Sequence, residues 1–345
     1  MGHSGSVRVG VLGASGFAGV ELLRLLAQHP NMEVVYATGD SQTGMLAASL
    51  YPSLASAYPQ LVLEEFDVER ARGCDVVFLA LPHEASLGLV PQLIDHVRLV
   101  VDLSAAYRLK DAAAYPRWYG FAHDQPELLR EAVYGLPEMF REQLRDARLI
   151  ATPGCYVTAA SMAIAPLVRA GTIAPTRVIV DAASGVSGAG RAPKANTTFC
   201  AVDEDVVAYG LLDHRHTPEI EQVSGAQVLF TPHLVPMNRG ILATCYATPA
   251  DGVELTSQSV LATLAKAYAG ESFVVVRPTP PSTKATMGTN SVHLSARYDE
   301  RTNTVIVLSA LDNLTKGAAG GAIQAANVAL GFVESDGLSR VGLYP

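Results

Sequence analysis

The sequence predicts a two-domain α/β protein: a doubly wound parallel sheet, then an α+β domain with a mostly antiparallel sheet. Short apolar strand-like runs alternate with amphipathic helices through the first 150 residues. A glycine-rich turn joins the first run to the first helix. Beyond residue 177 the strand-like runs follow one another with few long helices between them. At 345 residues the chain is long enough for two domains with cores of their own, at about 100–200 residues each.

Each element has a local cause. Residues 7–12 are an apolar, β-branched run suited to a strand buried on both faces. Residues 17–29 read as an amphipathic helix, with Val20, Leu23 and Leu26 on one side and Glu21, Arg24 and Gln28 on the other. Pro30 ends it. Strand 32–37, strand 75–81, helix 86–94 and strand 98–103 continue the alternation, and strands separated by helices pair in parallel. The stretch 107–138, richer in Tyr, Pro and charge, reads as irregular, and 149–151 leads into Cys155. An Ala-rich helix is expected over 157–167. After it, 178–182, 226–230, 240–247, 273–276, 291–298 and 302–309 are expected strands, the last two forming a hairpin through 299–303. A long Ala-rich helix is expected over 314–330.

Composition narrows the function. Hydrophobic content of 49% with 17% charged residues belongs to a soluble globular chain. A net charge of −8 with no basic run argues against a nucleic-acid partner. No apolar stretch has the length of a membrane span, and the short polar start at residues 1–6 does not read as a signal peptide. The expected location is the cytoplasm. The four cysteines, Cys74, Cys155, Cys200 and Cys245, make no CxxC pair, so no disulfide or metal site is expected. Cys74 and Cys245 lie in apolar stretches and are expected to be buried thiols.

Gly13-Ala-Ser-Gly16-Phe-Ala-Gly19 stands after the first strand and opens the first helix. Glycine lets backbone approach a pyrophosphate, and a helix N-terminus offers N–H groups and the positive end of the dipole. The spacing is GxxGxxG, so the simplest dinucleotide fingerprint is not met; the strand–turn–helix context is what points to a Rossmann-type nucleotide site. An acid at the end of the second strand would hold the ribose of NAD. Residues 36–39 contain none, and Asp40 falls late, which leans towards NADP. Yet no Arg or Lys occurs between Val34 and Glu65, so Thr38, Ser41, Gln42 or Thr43 would have to supply neutral donors to a 2′-phosphate.

Cys155 follows Thr152-Pro153-Gly154 and precedes a helix. A cysteine at a helix N-terminus feels the positive end of the dipole, which favours thiolate. His214 and His216 lie two apart around Arg215, so both face one side of an extended segment, and either suits acid/base work near neutral pH. Three arginines, Arg108, Arg191 and Arg215, suit bidentate pairing with phosphate or carboxylate. The Ser-Gly-Ala-Gly turn before Arg191 offers backbone N–H groups for an anion nest.

Nine segments occur in order along essentially the whole chain: the glycine turn, Ala80-Leu-Pro-His83, Asp102-Leu-Ser-Ala-Ala-Tyr-Arg108, Tyr134-Gly-Leu-Pro-Glu138, Pro153-Gly-Cys-Tyr156, Ser184-Gly-Val-Ser-Gly-Ala-Gly-Arg191, His214-Arg-His-Thr-Pro-Glu219, Arg239-Gly-Ile-Leu-Ala243 and Asp312-Asn-Leu-Thr-Lys-Gly317. Together they resemble the N-acetyl-gamma-glutamyl-phosphate reductase family, NADPH-dependent enzymes of arginine biosynthesis. The resemblance implies that Cys155 is a nucleophile that forms a thioester, with His216 as acid/base and His214 as its close rival. It implies substrate contacts at Arg108, Ser187, Gly188 and Arg191. It implies NADPH contacts at Gly13, Ser15, Gly16, Phe17, Ala18, Thr38, Ser41, Gln42, Pro82, Ser104 and Asn313. The expected domains are 1–154 plus 313–345 for the cofactor and 155–312 for catalysis and dimerisation, in a homodimer or homotetramer acting on a small acyl phosphate. Two alternatives are a lysine-pathway paralogue that reduces a carrier-bound aminoadipyl phosphate, and a dinucleotide-binding sensor without turnover. The paralogue is expected to have Gly-Cys-Asn, no Ser-Gly-Ala-Gly-Arg turn and a basic surface. A sensor would not need Cys155 and both histidines.

Overall fold

The computed structural model describes residues 6–344, so most of the polar start, residues 1–5, lies outside the described residues, as does residue 345. The chain parts into two compact units, one of Met1–Pro153 with Ala318–Leu338 and one of Gly154–Gly317 with Ser339–Pro345.

The first unit holds a six-stranded parallel sheet in the order β2-β1-β3-β4-β6-β5. Its strands are β1 (Val7–Leu12), β2 (Met32–Ala37), β3 (Val76–Leu79), β4 (Leu99–Asp102), β5 (Val133–Tyr134) and β6 (Leu149–Ala151). Every residue of β3 and β4 is buried, the pattern of strands covered on both faces. On one face Val9, Val11, Phe78 and Val101 pack with Leu22 and Leu23 of helix α1 (Phe17–Leu26) and with Ile323 and Ala326 of the C-terminal helix Gly320–Leu330. On the other, Leu12, Val77 and Val100 pack with Leu87 and Val90 of α2 (His83–Leu93), and with Tyr107 and Tyr115.

Helix α1 stops short of the expected residue 29, because the N–H groups of Gln28 and His29 tighten onto the Leu25 and Leu26 carbonyls. His29 then turns inward, its Nε2 2.9 Å from Asn327 Oδ1 on the C-terminal helix. The expected irregular stretch 107–138 contains two short helices, Tyr115–Tyr119 and Pro126–Glu131, each with Pro in its first turn, and the edge strand β5.

The second unit is built on a mixed seven-stranded sheet in the order β11-β12-β13-β10-β7-β9-β8. Its strands are β7 (Val178–Gly185), β8 (Val207–Ala208), β9 (Val228–Val235), β10 (Ile241–Ala247), β11 (Val274–Val276), β12 (Val292–Asp299) and β13 (Thr304–Leu311). β7/β9 and β11/β12 pair in parallel and the other neighbours are antiparallel. The hairpin β12/β13 closes with Asp299 opposite Thr304. One face of the sheet carries α3 (Cys155–Arg169), α4 (Thr217–Ser224) and α5 (Ser257–Ala267). α4 and α5 are helices beyond those expected between the strands, although their punctuation is ordinary. Pro218 lies in the first turn of α4 and Gly225 caps it left-handed, while Thr256 caps α5 by accepting the Ser259 N–H.

The second compact unit runs on to Gly317, and the expected unbroken helix 314–330 is interrupted. The Asp312 carboxylate pairs with Arg239 and accepts the Gly288 N–H, and Asn313 Oδ1 accepts the Gly240 N–H, so this segment stays with the second unit. A π-helical turn at Thr315–Ala319 separates it from the helix proper. Residues 339–344 also return to the second unit, where Leu343 N–H donates to Met287 O and Asn290 N–H to Ser339 O. No helix among the described residues is long and apolar enough to cross a membrane.

Candidate active site

In the first unit the glycine turn closes against the ends of β2 and β3. Gly13 adopts φ +86°, and a β-carbon there would stand 2.3 Å from the Ala80 carbonyl oxygen. Its N–H donates to Thr38 Oγ1, while the N–H of Ala14 donates to Thr38 O. Ser15 Oγ donates to Gly39 O. Gly16 caps α1 with extended backbone and no side-chain cap, Phe17 and Ala18 form the first turn, and that turn carries no acid. The first turn therefore offers backbone N–H groups and the positive end of the helix dipole with no competing side-chain cap, the chemistry a nucleotide diphosphate requires. Gly13→Ala is expected to destabilise the first unit by roughly 2–4 kcal/mol, from the left-handed backbone plus the carbonyl clash. Urea unfolding of the purified variant measures it, and an unchanged midpoint would contradict this account of the turn.

Thr38 is buried and its hydroxyl accepts the Gly13 N–H, so it braces the turn. Thr43 Oγ1 donates to Asp40 O at 2.7 Å, and of the expected ribose-side donors Ser41, exposed, and Gln42 stand in the turn Asp40–Gln42. A nearby cation also escaped the sequence reading. Arg70, beyond the window 34–65, lies 5.2 Å from the Tyr36 ring centroid and pairs with Glu64 at 2.8 Å. Pro82 caps α2. Ser104 is buried, and its hydroxyl donates to the Asp102 carboxylate at 2.8 Å and accepts the Ala106 N–H, so its side chain holds its own loop. Burial raises the Asp102 carboxyl above the ordinary carboxylate range, opposed by the bonds from Ser104 and by Arg108. Arg108 is buried, and its guanidinium donates to Leu103 O.

In the second unit Cys155 is the first residue of α3, half-buried and not disulfide-bonded. Gly154 caps that helix without a side chain, and the first turn carries no acid, so the dipole acts on the thiol unopposed from within the turn. The His216 ring lies against Gly154: a β-carbon at Gly154 would stand 2.4 Å from His216 Nε2. The Gly154 N–H donates at 2.9 Å to Glu219, a wholly buried carboxylate in the first turn of α4. On another side, a β-carbon at Gly317 would meet Cys155 Cβ at 2.7 Å.

The two histidines separate clearly. His216 caps α4, whereas the His214 Nδ1 accepts the His216 N–H at 3.1 Å. The His214 ring packs among Tyr156, Tyr209 and Phe230. Burial, with Arg215 adding to it, lowers the His214 pKa to about 4. A neutral, enclosed ring that orients its neighbour is a different part from a ring packed on Gly154. By contrast with Cys155, Cys245 is buried and its thiol is pushed up to about 12, while Cys74 is buried and raised. Cys200 is exposed.

The Ser187 turn is occupied by internal bonds. The N–H groups of Ser187 and Gly190 donate to Asn238 O and Ser187 O, which engages two donors of the expected anion nest, and the N–H of Val186 before it donates to Met237 O. A β-carbon at Gly188 would meet Ser184 Oγ at 3.0 Å, and Arg191 is half-exposed beyond it, while Arg215 is exposed. Asn313 is buried, with Oδ1 accepting the Gly240 N–H at 2.7 Å and Nδ2 donating to Ser187 Oγ at 3.0 Å. Its amide therefore ties the Ser187 turn to the β10 entrance. Asp312 beside it pairs with Arg239 at 2.9 Å and also accepts the Gly288 N–H. Gly154, expected only to leave room for substrate beside Cys155, is instead packed under the His216 ring, and Glu219 and Gly317, motif residues with no role legible from spacing, also border Cys155.

A nucleotide-binding α/β unit and a cysteine at a helix N-terminus beside a histidine define the semialdehyde dehydrogenase class. Residues 8–147 match the family described as "Semialdehyde dehydrogenase, NAD binding domain", and residues 155–313 match "Semialdehyde dehydrogenase, dimerisation domain". Among solved structures, aspartate semialdehyde dehydrogenase II of Vibrio cholerae complexed with ASA aligns with a TM-score of 0.70 at 16% identity, covering 94% of this chain and 98% of that one. That of Candida albicans with NADP aligns at 0.68 and 17%, with the same coverage; both show the shared fold. The N-acetyl-gamma-glutamyl-phosphate reductase of Symbiobacterium thermophilum is 47% identical over 99% of this chain and 100% of its own length. That of Pseudomonas aeruginosa UCBPP-PA14 is 46% identical over 98% of this chain and 100% of its own. The chain belongs to the N-acetyl-gamma-glutamyl-phosphate reductase family.

Proposed function

We propose that the protein reduces N-acetyl-gamma-glutamyl phosphate to N-acetyl-glutamate 5-semialdehyde and phosphate with NADPH, as a step of arginine biosynthesis. The observation that carries this reading is Cys155 at the N-terminus of α3, next to a glycine packed under the His216 ring. The Cys155 thiolate attacks the γ-carbonyl carbon, and the acyl–oxygen bond breaks to release phosphate, leaving a thioester. NADPH, which would be held by the glycine turn Gly13–Gly19 with Ser41 and Gln42, would supply hydride chemistry at the thioester carbon when bound. His216 protonates the resulting oxygen, then takes that proton back as the thiohemiacetal collapses to aldehyde and returns Cys155. Arg108, Arg191, Ser187 and Gly188 receive the substrate's anionic groups.

The preference for NADPH is supported by the absence of an acid at residues 36–39, with Ser41 and Gln42 presented instead. The test is phosphate-dependent NADP⁺ reduction with N-acetylglutamate semialdehyde, run beside NAD⁺ and beside aminoadipate semialdehyde. Activity is expected with the first aldehyde and with NADP⁺ preferred. Turnover of the second aldehyde alone would establish the lysine-pathway reading, and no turnover of either would leave a nucleotide-binding sensor.

We further infer that the protein works as a homodimer or homotetramer through the sheet face of the second unit opposite its helices. There Leu229, Ile179, Tyr246 and Ile306 are cross-strand neighbours in one row. Leu229 is 49% and Ile179 39% exposed, an apolar strip in a domain of the dimerisation type. Leu229→Glu is expected to lower the molar mass measured by light scattering to that of one chain, and an unchanged mass would remove this face from the assembly.

A further inference from the structure

Glu219 is an unusual residue to bury completely. A carboxylate withdrawn from water costs several kcal/mol unless it is well paired and hydrogen-bonded. In the first turn of a helix, such a Glu ordinarily reaches back to the cap residue's own N–H. Here the cap is His216, whose N–H donates to His214 Nδ1. Glu219 instead reaches across to α3 and accepts the N–H of Gly154, the residue before Cys155. Gly154 is therefore held from two directions: its N–H by Glu219, and its α-carbon under the His216 ring. Both holding groups belong to the first turn of α4, three residues apart, where side chains are neighbours. Pro218 stiffens that turn between them.

We propose that Glu219 is a positioning residue that locks the Gly154–Cys155 peptide to α4, so that the thiol and the His216 imidazole keep one mutual geometry through both halves of the reaction. This rests on the reading of Cys155 and His216 as the reacting pair. The lock requires reach, because the carboxylate must span from α4 to the Gly154 N–H. Glu219→Gln keeps the reach and an acceptor oxygen but loses the charge. Glu219→Asp keeps the charge but is one methylene too short.

The lock is tested with these two variants and Glu219→Ala, by steady-state kinetics and by iodoacetamide alkylation of Cys155 followed by intact mass. The Asp and Ala variants are expected to lose about 100-fold in kcat, the scale set by a misplacement of about 1 Å. The KM for NADPH should stay unchanged, and the Gln variant should lose less than about tenfold. Cys155 alkylation is expected to slow about tenfold in the Asp variant and not to slow in the Gln variant. Equal behaviour of Gln and Asp in alkylation overturns the lock, as does wild-type kcat in the Asp variant. A parallel loss of kcat, NADPH affinity and melting temperature in both also overturns it, since that marks a residue needed only for folding. Alkylation needs no substrate, so it tests the lock even if the acyl-phosphate reading fails. That reading fails separately if Cys155→Ser turns over like the wild type.

Discussion

Cys155→Ser is expected to lower kcat/KM by at least about 10³-fold, because a serine hydroxyl at this helix terminus remains un-ionised near neutral pH. The fold should tolerate the change: the side chain is half-buried at the first helical residue, and Cys to Ser alters volume little. Nucleotide binding, which falls to the first unit with its match to the NAD binding domain, should be untouched. Intact-mass measurement of the wild type given acyl phosphate without reductant should show one acyl group per chain, and the Ser variant none. Equal turnover in both proteins would end the thioester mechanism.

Gly154→Ala carries the second large effect. Gly154 has φ −66° and ψ 146°, a conformation alanine adopts freely, so backbone strain plays no part. The methyl group would stand 2.4 Å from His216 Nε2, and one of the two must move. The ring end of a side chain yields more easily than a helix cap tied to buried Glu219. The expected outcome is therefore a displaced imidazole, a loss of about 100-fold in kcat and destabilisation of about 1–3 kcal/mol. Gly88→Ala in α2 is the control, since its methyl meets nothing within 4 Å. Steady-state kinetics with calorimetric melting separates the outcomes, and wild-type kcat in Gly154→Ala would remove His216 from the chemistry.

Much of this molecule is written locally. The β-branched runs of β1, β3 and β4, the glycine turn, and the cysteine ahead of an Ala-rich helix are short-range signals, and each lies where the sequence places it. Errors concentrate where tertiary bonds override local pattern. The helix expected from 314 is α-helical only from Gly320, because Thr315–Ala319 is wound as a π turn in which the Gly317 N–H reaches Asp312 O five residues back. Thr38 and Ser104 have suitable chemistry for a ligand, but their hydroxyls bond to Gly13 and Asp102. A hydroxyl's partner is a three-dimensional fact that spacing does not carry.

The histidine pair shows the same division. Two residues apart in an extended chain, His214 and His216 would be equivalent; in a turn entering α4 they are not. One accepts its neighbour's N–H inside an aromatic cage, and the other lies on Gly154.

Sequence by itself determined the class of fold, the nucleotide turn and Cys155 at a helix start, because each depends on residues adjacent in the chain. Tertiary structure alone decided which histidine lies over Gly154 beside that cysteine, that a buried Glu219 holds the preceding peptide, and that residues 312–317 belong with the second unit. Those outcomes depend on groups as many as 126 positions apart that meet only after the second unit has packed.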